Sequence, residues 1–226
     1  TLPAKVVAEY ADFFAWLGQI TSTTRDMDVY LLSYQQYKAV LPVSLRKDIA
    51  PLYDFLKEKQ QQAQTELADK LNSPIYRKQL HNWEQFLKEP LAKKGKGENA
   101  NLNIKKLADQ RIWKVYKCIL KEGEAIKESS PAEALHDLRK TCKKLRYLME
   151  FFQSLYPKAD MKALLKSLKD LQGVLGDFQD YEVQEVNIKH FSEEMMSNNV
   201  PSSTFLAMGV LVQHLDSMKC AARDDF

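Results

Sequence analysis

Apolar side chains recur at every third or fourth position along most of the chain, the spacing of helices that bury one face. The strict alternation of apolar and polar residues that marks a half-buried strand is absent. Proline, glycine and Ser-Pro pairs divide the pattern into segments of helical length. The sequence therefore predicts an all-α fold.

The breaks in this pattern give approximate helix limits. Gly18 is expected to end a first helix, and Thr23 or Thr24 to start a second that ends before Pro42. The remaining helices are expected from near residue 51, then at about 74–88, 104–126, 131–155, 160–175, 177–196 and from 201 onward.

A charged loop and a faint repeat indicate two helical units. Residues 89–103 combine proline, lysine and glycine and form the best candidate boundary. Leu-Gly at 17–18 precedes x-Asp-x-acid-Val at 25–29, and the same pattern occurs at 175–176 and 179–183, with its second part 154 residues later. We expect one helical domain over 1–226, with 1–90 as the remainder of a first repeat, 103–196 as a second repeat and 200–226 as a C-terminal helix.

Composition excludes several classes of protein. Of the 226 residues, 45% are hydrophobic and 28% charged, which is typical of a globular chain with a core. No apolar segment is long enough to span a membrane. The three cysteines form no Cys-x-x-Cys pair, which favours a reducing compartment and a cytoplasmic location.

The net charge of +3 hides an uneven distribution. Residues 91–147 contain fifteen Lys or Arg and seven Asp or Glu, a local charge of +8, whereas residues 170–226 carry −7 from three basic and ten acidic residues. This asymmetry favours an anionic partner for the basic middle, although a solvated surface is the alternative.

The helix expected over 131–155 carries this charge on one side. Its apolar face consists of Leu135, Leu138, Cys142, Leu145, Met149 and Phe152. The opposite side carries a cation or a polar ring at nearly every turn: His136, Arg139, Lys140, Lys143, Lys144, Arg146 and Tyr147. Like charges three or four residues apart repel, so an uninterrupted stripe is costly without a ligand.

The preceding helix repeats the pattern, with Arg111, Lys114, Lys117 and Lys121 on one face. A short connection at 127–130 folds the two helices antiparallel, so two basic stripes could line one groove. Arginine donates in pairs to phosphate oxygens and lysine adds compact charge, so the stripes predict a site for a long polyanion.

Other chemistry-bearing residues favour structural roles. The four histidines show no metal-ligand spacing, and only His136 heads the cationic face, where it is a phosphate donor or a transient phosphoacceptor. Asp26 and Asp28 are explained by a helix start and a network with Arg25. Trp16, Trp83 and Trp113 occur at helical spacings and are predicted to belong to the core.

Three stretches resemble a known family. Residues 135–139 (LHDLR) followed by 143–152 (KKLRYLMEFF) are similar to the motif of the CHAD domain, the conserved-histidine α-helical domain. Residues 168–180, the Leu-Gly at 17–18 with 25–29, and Ser73-Pro74 with Tyr76-Arg77 resemble further parts of that family in the same order, so the resemblance runs from about Lys5 to about Phe191.

The resemblance implies two pseudo-repeated antiparallel helical bundles around a basic central channel, with the first repeat truncated at its N-terminus. It implies non-catalytic binding of inorganic polyphosphate without a cofactor, in the cytoplasm and at polyphosphate granules. The residues carried over are His136, Arg139, Lys140, Lys143, Lys144, Arg146 and Tyr147, with Lys114 and Lys117; we add Arg111, Lys121 and Arg25 as further cations. The alternatives are a phosphohydrolase or phosphotransferase that uses His136, and a helical protein that binds nucleic acid.

Overall fold

A computed structural model describes residues 4–90, 97 and 99–226 of the chain. These residues form seven α-helices and no strand, which confirms the all-α prediction. The helices are α1 (Ala4–Val40), α2 (Ala50–Asn72), α3 (Pro74–Lys88), α4 (Ile104–Ala125), α5 (Ala132–Phe152), α6 (Lys158–Met195) and α7 (Ser202–Asp224). Seven residues of the predicted 89–103 loop, 91–96 and 98, lie outside the described residues.

The predicted start of α3 is confirmed in detail. Ser73 has an extended backbone, and its side chain accepts a hydrogen bond from the Tyr76 backbone N–H at 3.2 Å. Pro74 follows at the first helical position, where its missing N–H costs nothing. Ser-Pro therefore ends α2 and begins α3 within one residue.

The predicted break at Gly18 is wrong, because α1 continues from Ala4 to Val40. Thr21 and Ser22, which resemble cap residues, donate their hydroxyls back to the carbonyls of the preceding turn, at Gly18 O (3.0 Å) and Gln19 O (2.8 Å). Hydroxyls satisfied in this way do not compete with the helix. The predicted Arg25–Asp network is also wrong: the Arg25 side chain forms no hydrogen bond or ion pair among the described residues, and Asp28 accepts from Gln60 Nε2 at 3.0 Å.

The predicted separation of 160–175 from 177–196 is wrong for a similar reason. Helix α6 runs through residue 176 without interruption. An interior glycine costs a helix only about 1 kcal/mol, an amount that tertiary packing overrides. The packing partner of this glycine is described below.

The chain divides into two compact units, Thr1–Asn101 with Met195–Gly209, and Leu102–Glu194 with Val210–Phe226. In the first unit α1 packs against α2, and Thr24 Oγ1 donates to Ala63 O at 3.2 Å across them. In the second unit one hydrophobic core joins α4, α5, α6 and α7. The apolar face predicted for α5 is buried at all six positions: Leu135, Leu138, Cys142, Leu145, Met149 and Phe152.

Candidate functional site

Four basic residues of α5 lie beside its buried face and are themselves half-buried. They are His136, Arg139, Lys143 and Arg146, one for each turn of the helix, and we call them the basic row. Because they flank the core face, their side chains are less exposed than those of Lys140, Lys144 and Tyr147. The contacts of His136 and Arg139 place these two side chains at the boundary between α5 and α6.

His136 is held from across this boundary by an amide. Its Nδ1 lies 2.5 Å from Oε1 of Gln179 on α6. A carbonyl oxygen only accepts hydrogen bonds, so Nδ1 is the donor. This contact fixes the ring and leaves Nε2 as its other polar atom.

Arg139 lies along α6 at the residue that was expected to break it. A Cβ placed on Gly176 would be 3.8 Å from both Nε and Nη2 of Arg139. The Arg139 side chain is only 20% exposed, and its Nη2 is 4.0 Å from a carboxylate oxygen of Asp180, which is 64% exposed. At that distance the carboxylate attracts the guanidinium without forming a hydrogen bond.

Three buried nitrogen donors on α5 and α6 have no hydrogen-bond partner among the described residues. They are Nε of Arg139, Nε of Arg146 and Nε2 of Gln172. Gln172, Gly176 and Gln179 are spaced so that they share one face of α6, and we call them the α6 edge. Buried donors are normally satisfied, so unsatisfied ones beside cations are suited to an oxygen-rich anion.

The other predicted residues of α5 lie farther from the core. Lys140 is exposed and pairs with Asp137 at 2.6 Å. Their hydrogen bond raises the pKa of Lys140 and lowers that of Asp137. Lys144 and Tyr147 are exposed, and the Arg146 guanidinium lies 4.9 Å from the centre of the Tyr147 ring.

The α4 cations form a separate surface feature. Arg111, Lys114, Lys117 and Lys121 are all exposed and make no hydrogen bond or ion pair within the described residues. Helix α4 packs against α5, but no hydrogen bond or ion pair among the described residues joins these four side chains to the basic row. The single groove predicted from two stripes therefore stays a prediction. Arg25 is exposed on α1, in the other unit.

The prediction that Trp113 belongs to the core is wrong, because its side chain is 58% exposed. Its ring centre lies 5.5 Å from that of Tyr116, which is 39% exposed. Lys114 and Lys117 are their neighbours on α4. An aromatic pair among lysines is thus open to a ligand.

The charge pattern of the sequence does not indicate the α6 edge. Its three residues are separated by four and three positions, a spacing that places them on one helix face. This spacing has meaning only if α6 continues through Gly176 as a single helix. The two glutamines carry no charge and so add nothing to a charge pattern.

No group of three or more His, Cys, Asp or Glu side chains among the described residues could hold a metal ion. None of the described helices is both long and apolar enough to cross a bilayer.

The comparisons with known proteins now identify the class of protein. The model of the CHAD domain family matches residues 1–188, and the chain belongs to this family. The crystal structure of the CHAD domain from the plant Ricinus communis matches with a TM-score of 0.70 at 22% identity, over 96% of this chain and 72% of that one. At this identity the match shows the fold alone. No curated protein matches the chain.

Proposed function

We propose that the protein is a non-catalytic binder of inorganic polyphosphate and that the basic row is its principal contact. One observation carries the proposal: four half-buried basic side chains follow each other along one helix face, with two guanidinium Nε donors unsatisfied. Polyphosphate binding is known for the CHAD family in general.

The arrangement fits a linear anion better than a small one. From His136 to Arg146 the helix rises roughly 15 Å, so a single phosphate reaches only part of the row. Half-buried guanidinium groups have already lost part of their hydration and are oriented by packing. Phosphate oxygens would therefore meet donors that need little further ordering.

The proposal is for binding without catalysis. The ring of His136 is held by the amide of Gln179, whereas a general base is usually oriented by a carboxylate. Asp180, which follows Gln179 on α6, approaches Arg139. We keep the cytoplasm, with its polyphosphate granules, as the proposed location.

Charge reversal in the row tests the proposal. Replacing Arg139, Lys143 and Arg146 by Glu leaves the buried face of α5 intact, and Glu is a good helix former. We expect polyphosphate binding to be largely lost while circular dichroism and melting stay close to the parent. The matched control reverses Lys57, Lys70 and Lys78, exposed on α2 and α3 of the other unit, and changes net charge equally.

The outcomes separate a site from a scaffold. Loss of binding in the control variant as well would show that net charge alone attracts the polymer. Unfolding of the row variant would show a structural network, and retention of both fold and binding would place the anion elsewhere, with the α4 cations next in order.

A nucleic acid is the second candidate ligand, and the exposed Trp113–Tyr116 pair favours it. Bases stack on exposed aromatic rings while neighbouring lysines contact the backbone. Competition at one salt concentration between polyphosphate and single-stranded RNA distinguishes the two ligands. If RNA displaces polyphosphate and Trp113→Ala abolishes its binding, the nucleic-acid function replaces the first proposal.

A further inference from the structure

Gln179 determines which nitrogen of His136 carries the proton when the ring is neutral. Because the Gln179 Oε1 atom is 2.5 Å from Nδ1, that nitrogen keeps its proton whether the ring is neutral or charged. Nε2 is then the atom that gains or loses a proton. When neutral it offers a lone pair, which repels a phosphate oxygen; when protonated it is a charge-assisted donor.

The Asp137 carboxylate interacts electrostatically with the His136 ring, but it also forms a closer ion pair with a lysine. On α5, Asp137 is paired with Lys140 at 2.6 Å, and Glu133 lies one turn before His136 on the solvent side. On α6, Asp180 is directed to Arg139 at 4.0 Å, while the direct partner of His136 is an uncharged amide. A carboxylate in place of Gln179 would orient the ring equally well but would cancel its charge.

We propose that Gln179 is a positioning residue that fixes His136 with Nε2 toward the ligand, so that His136 binds a phosphate oxygen only as the imidazolium. The inference rests on the proposed function and adds a regulation to the same site. Binding strengthens as the pH falls through the range in which histidine titrates, and above it each bound chain takes up a proton at Nε2.

The first experiment measures affinity for polyphosphate of one defined length between about pH 5.5 and 8.5. We expect the parent to lose roughly tenfold more affinity over this range than His136→Gln, the value of one charge-assisted contact. His190→Gln is the matched control, because His190 lies 63% exposed on α6 beside Glu193 and Glu194 and should not alter the profile.

The second experiment separates orientation from charge at residue 179. Gln179→Met removes the acceptor at similar length, and Gln179→Glu keeps the acceptor but adds a negative charge. We expect the Met variant to lose the Nδ1–H tautomer in the nitrogen NMR spectrum of the free protein and much of the pH dependence. The Glu variant should keep the tautomer and bind more weakly at every pH. Melting temperatures close to the parent exclude a merely structural effect.

The results distinguish this inference from the proposed function. If the free protein shows the Nε2–H tautomer, or if Gln179→Met leaves the pH profile unchanged, the inference is overturned while loss of binding in the triple reversal still supports the function. If the triple reversal has no effect on binding, the basic row is not the binding site, and the pH regulation proposed for it fails as well. The tautomer in the free protein then still decides the role of Gln179 in orienting the ring.

Discussion

Gly176 of α6 lies directly against the guanidinium group of Arg139 on α5. The position of its missing Cβ is 3.8 Å from both Nε and Nη2, which is ordinary van der Waals contact. One methyl group therefore fits at this position, and a longer side chain would occupy the volume that the guanidinium fills. The size of residue 176 thus sets whether Arg139 can lie along α6.

A size series at Gly176 should separate stability from binding. We expect Gly176→Ala to raise stability by up to about 1 kcal/mol, because alanine favours the helix, and to leave polyphosphate affinity unchanged. Gly176→Leu should displace the Arg139 side chain and weaken binding about tenfold while the fold survives. Thermal melting and polyphosphate titration measure the two effects.

Gly173 supplies the control for this series. It lies three residues earlier on α6, and a Cβ there would meet no atom within 4 Å. Gly173→Leu should therefore keep the parent affinity. Equal loss of binding in the two leucine variants would mean that bulk anywhere on α6 disturbs the ligand and that the Arg139 contact is not specific.

Ligand length should change affinity strongly. Orthophosphate and pyrophosphate are much shorter than the roughly 15 Å between His136 and Arg146, so they should bind weakly, and long polyphosphate much more tightly. Isothermal titration with phosphates of defined length measures this. Equal affinity for orthophosphate and the long polymer would indicate one compact anion pocket and would favour the phosphotransfer alternative.

The core beneath the basic row should determine stability. Leu138 is 1% exposed within the core of the second unit, so Leu138→Ala should cost about 2–5 kcal/mol in the free energy of unfolding. Leu164→Ala on α6, where the side chain is 58% exposed, should change stability by no more than about 0.5 kcal/mol. Urea denaturation compares them, and similar losses would contradict the assignment of Leu138 to the core.

Glu185 should contribute to acid sensitivity. Burial raises the pKa of this carboxyl, but hydrogen bonds from Lys189 and Lys219 outweigh it and lower the pKa below its ordinary value. A lowered carboxyl pKa stabilises the fold above the unfolded value of about 4.3, and this contribution is lost as the pH falls through the folded value.

Removing that charge tests the linkage. Glu185→Gln should lose about 1–2 kcal/mol at neutral pH, and its stability should fall less steeply than that of the parent in acid. Glu193→Gln, at a position 74% exposed on the same helix, is the control and should behave like the parent. An unchanged acid profile in Glu185→Gln would show that other carboxylates dominate the unfolding.

The helical pattern of the sequence predicted much of the fold, because the residues that determine where a helix forms lie close together in the chain. The apolar face of α5 and the Ser73 cap follow from spacing and residue type within one or two turns. The sequence pattern did not predict that α1 continues through Gly18 or that α6 continues through Gly176, because both depend on the surroundings of the glycine. A glycine ends a helix or lies within one according to its packing and to where nearby hydroxyls donate.

The candidate site could be predicted only in part from the sequence, because it also depends on contacts between helices. Cations at helical spacing can be recognised in a sequence, so the cationic stripe of α5 is predictable. The different environments of its members are not: Lys140 is paired with Asp137, whereas His136 and Arg139 contact α6. Gln179 became part of the site only when two segments 43 residues apart were brought together. A neutral amide carries no charge signal that would have shown this partnership.

The basic row repeats with every turn of one helix, and a polymer of identical units can lie against it in many registers. The number of equivalent registers grows with polymer length, and each tenfold increase adds about 1.4 kcal/mol to the binding free energy without any new contact. Units not engaged by one row stay available to the next protein molecule. A long polymer would therefore collect many copies side by side, at a density set by the polymer rather than by affinity between copies.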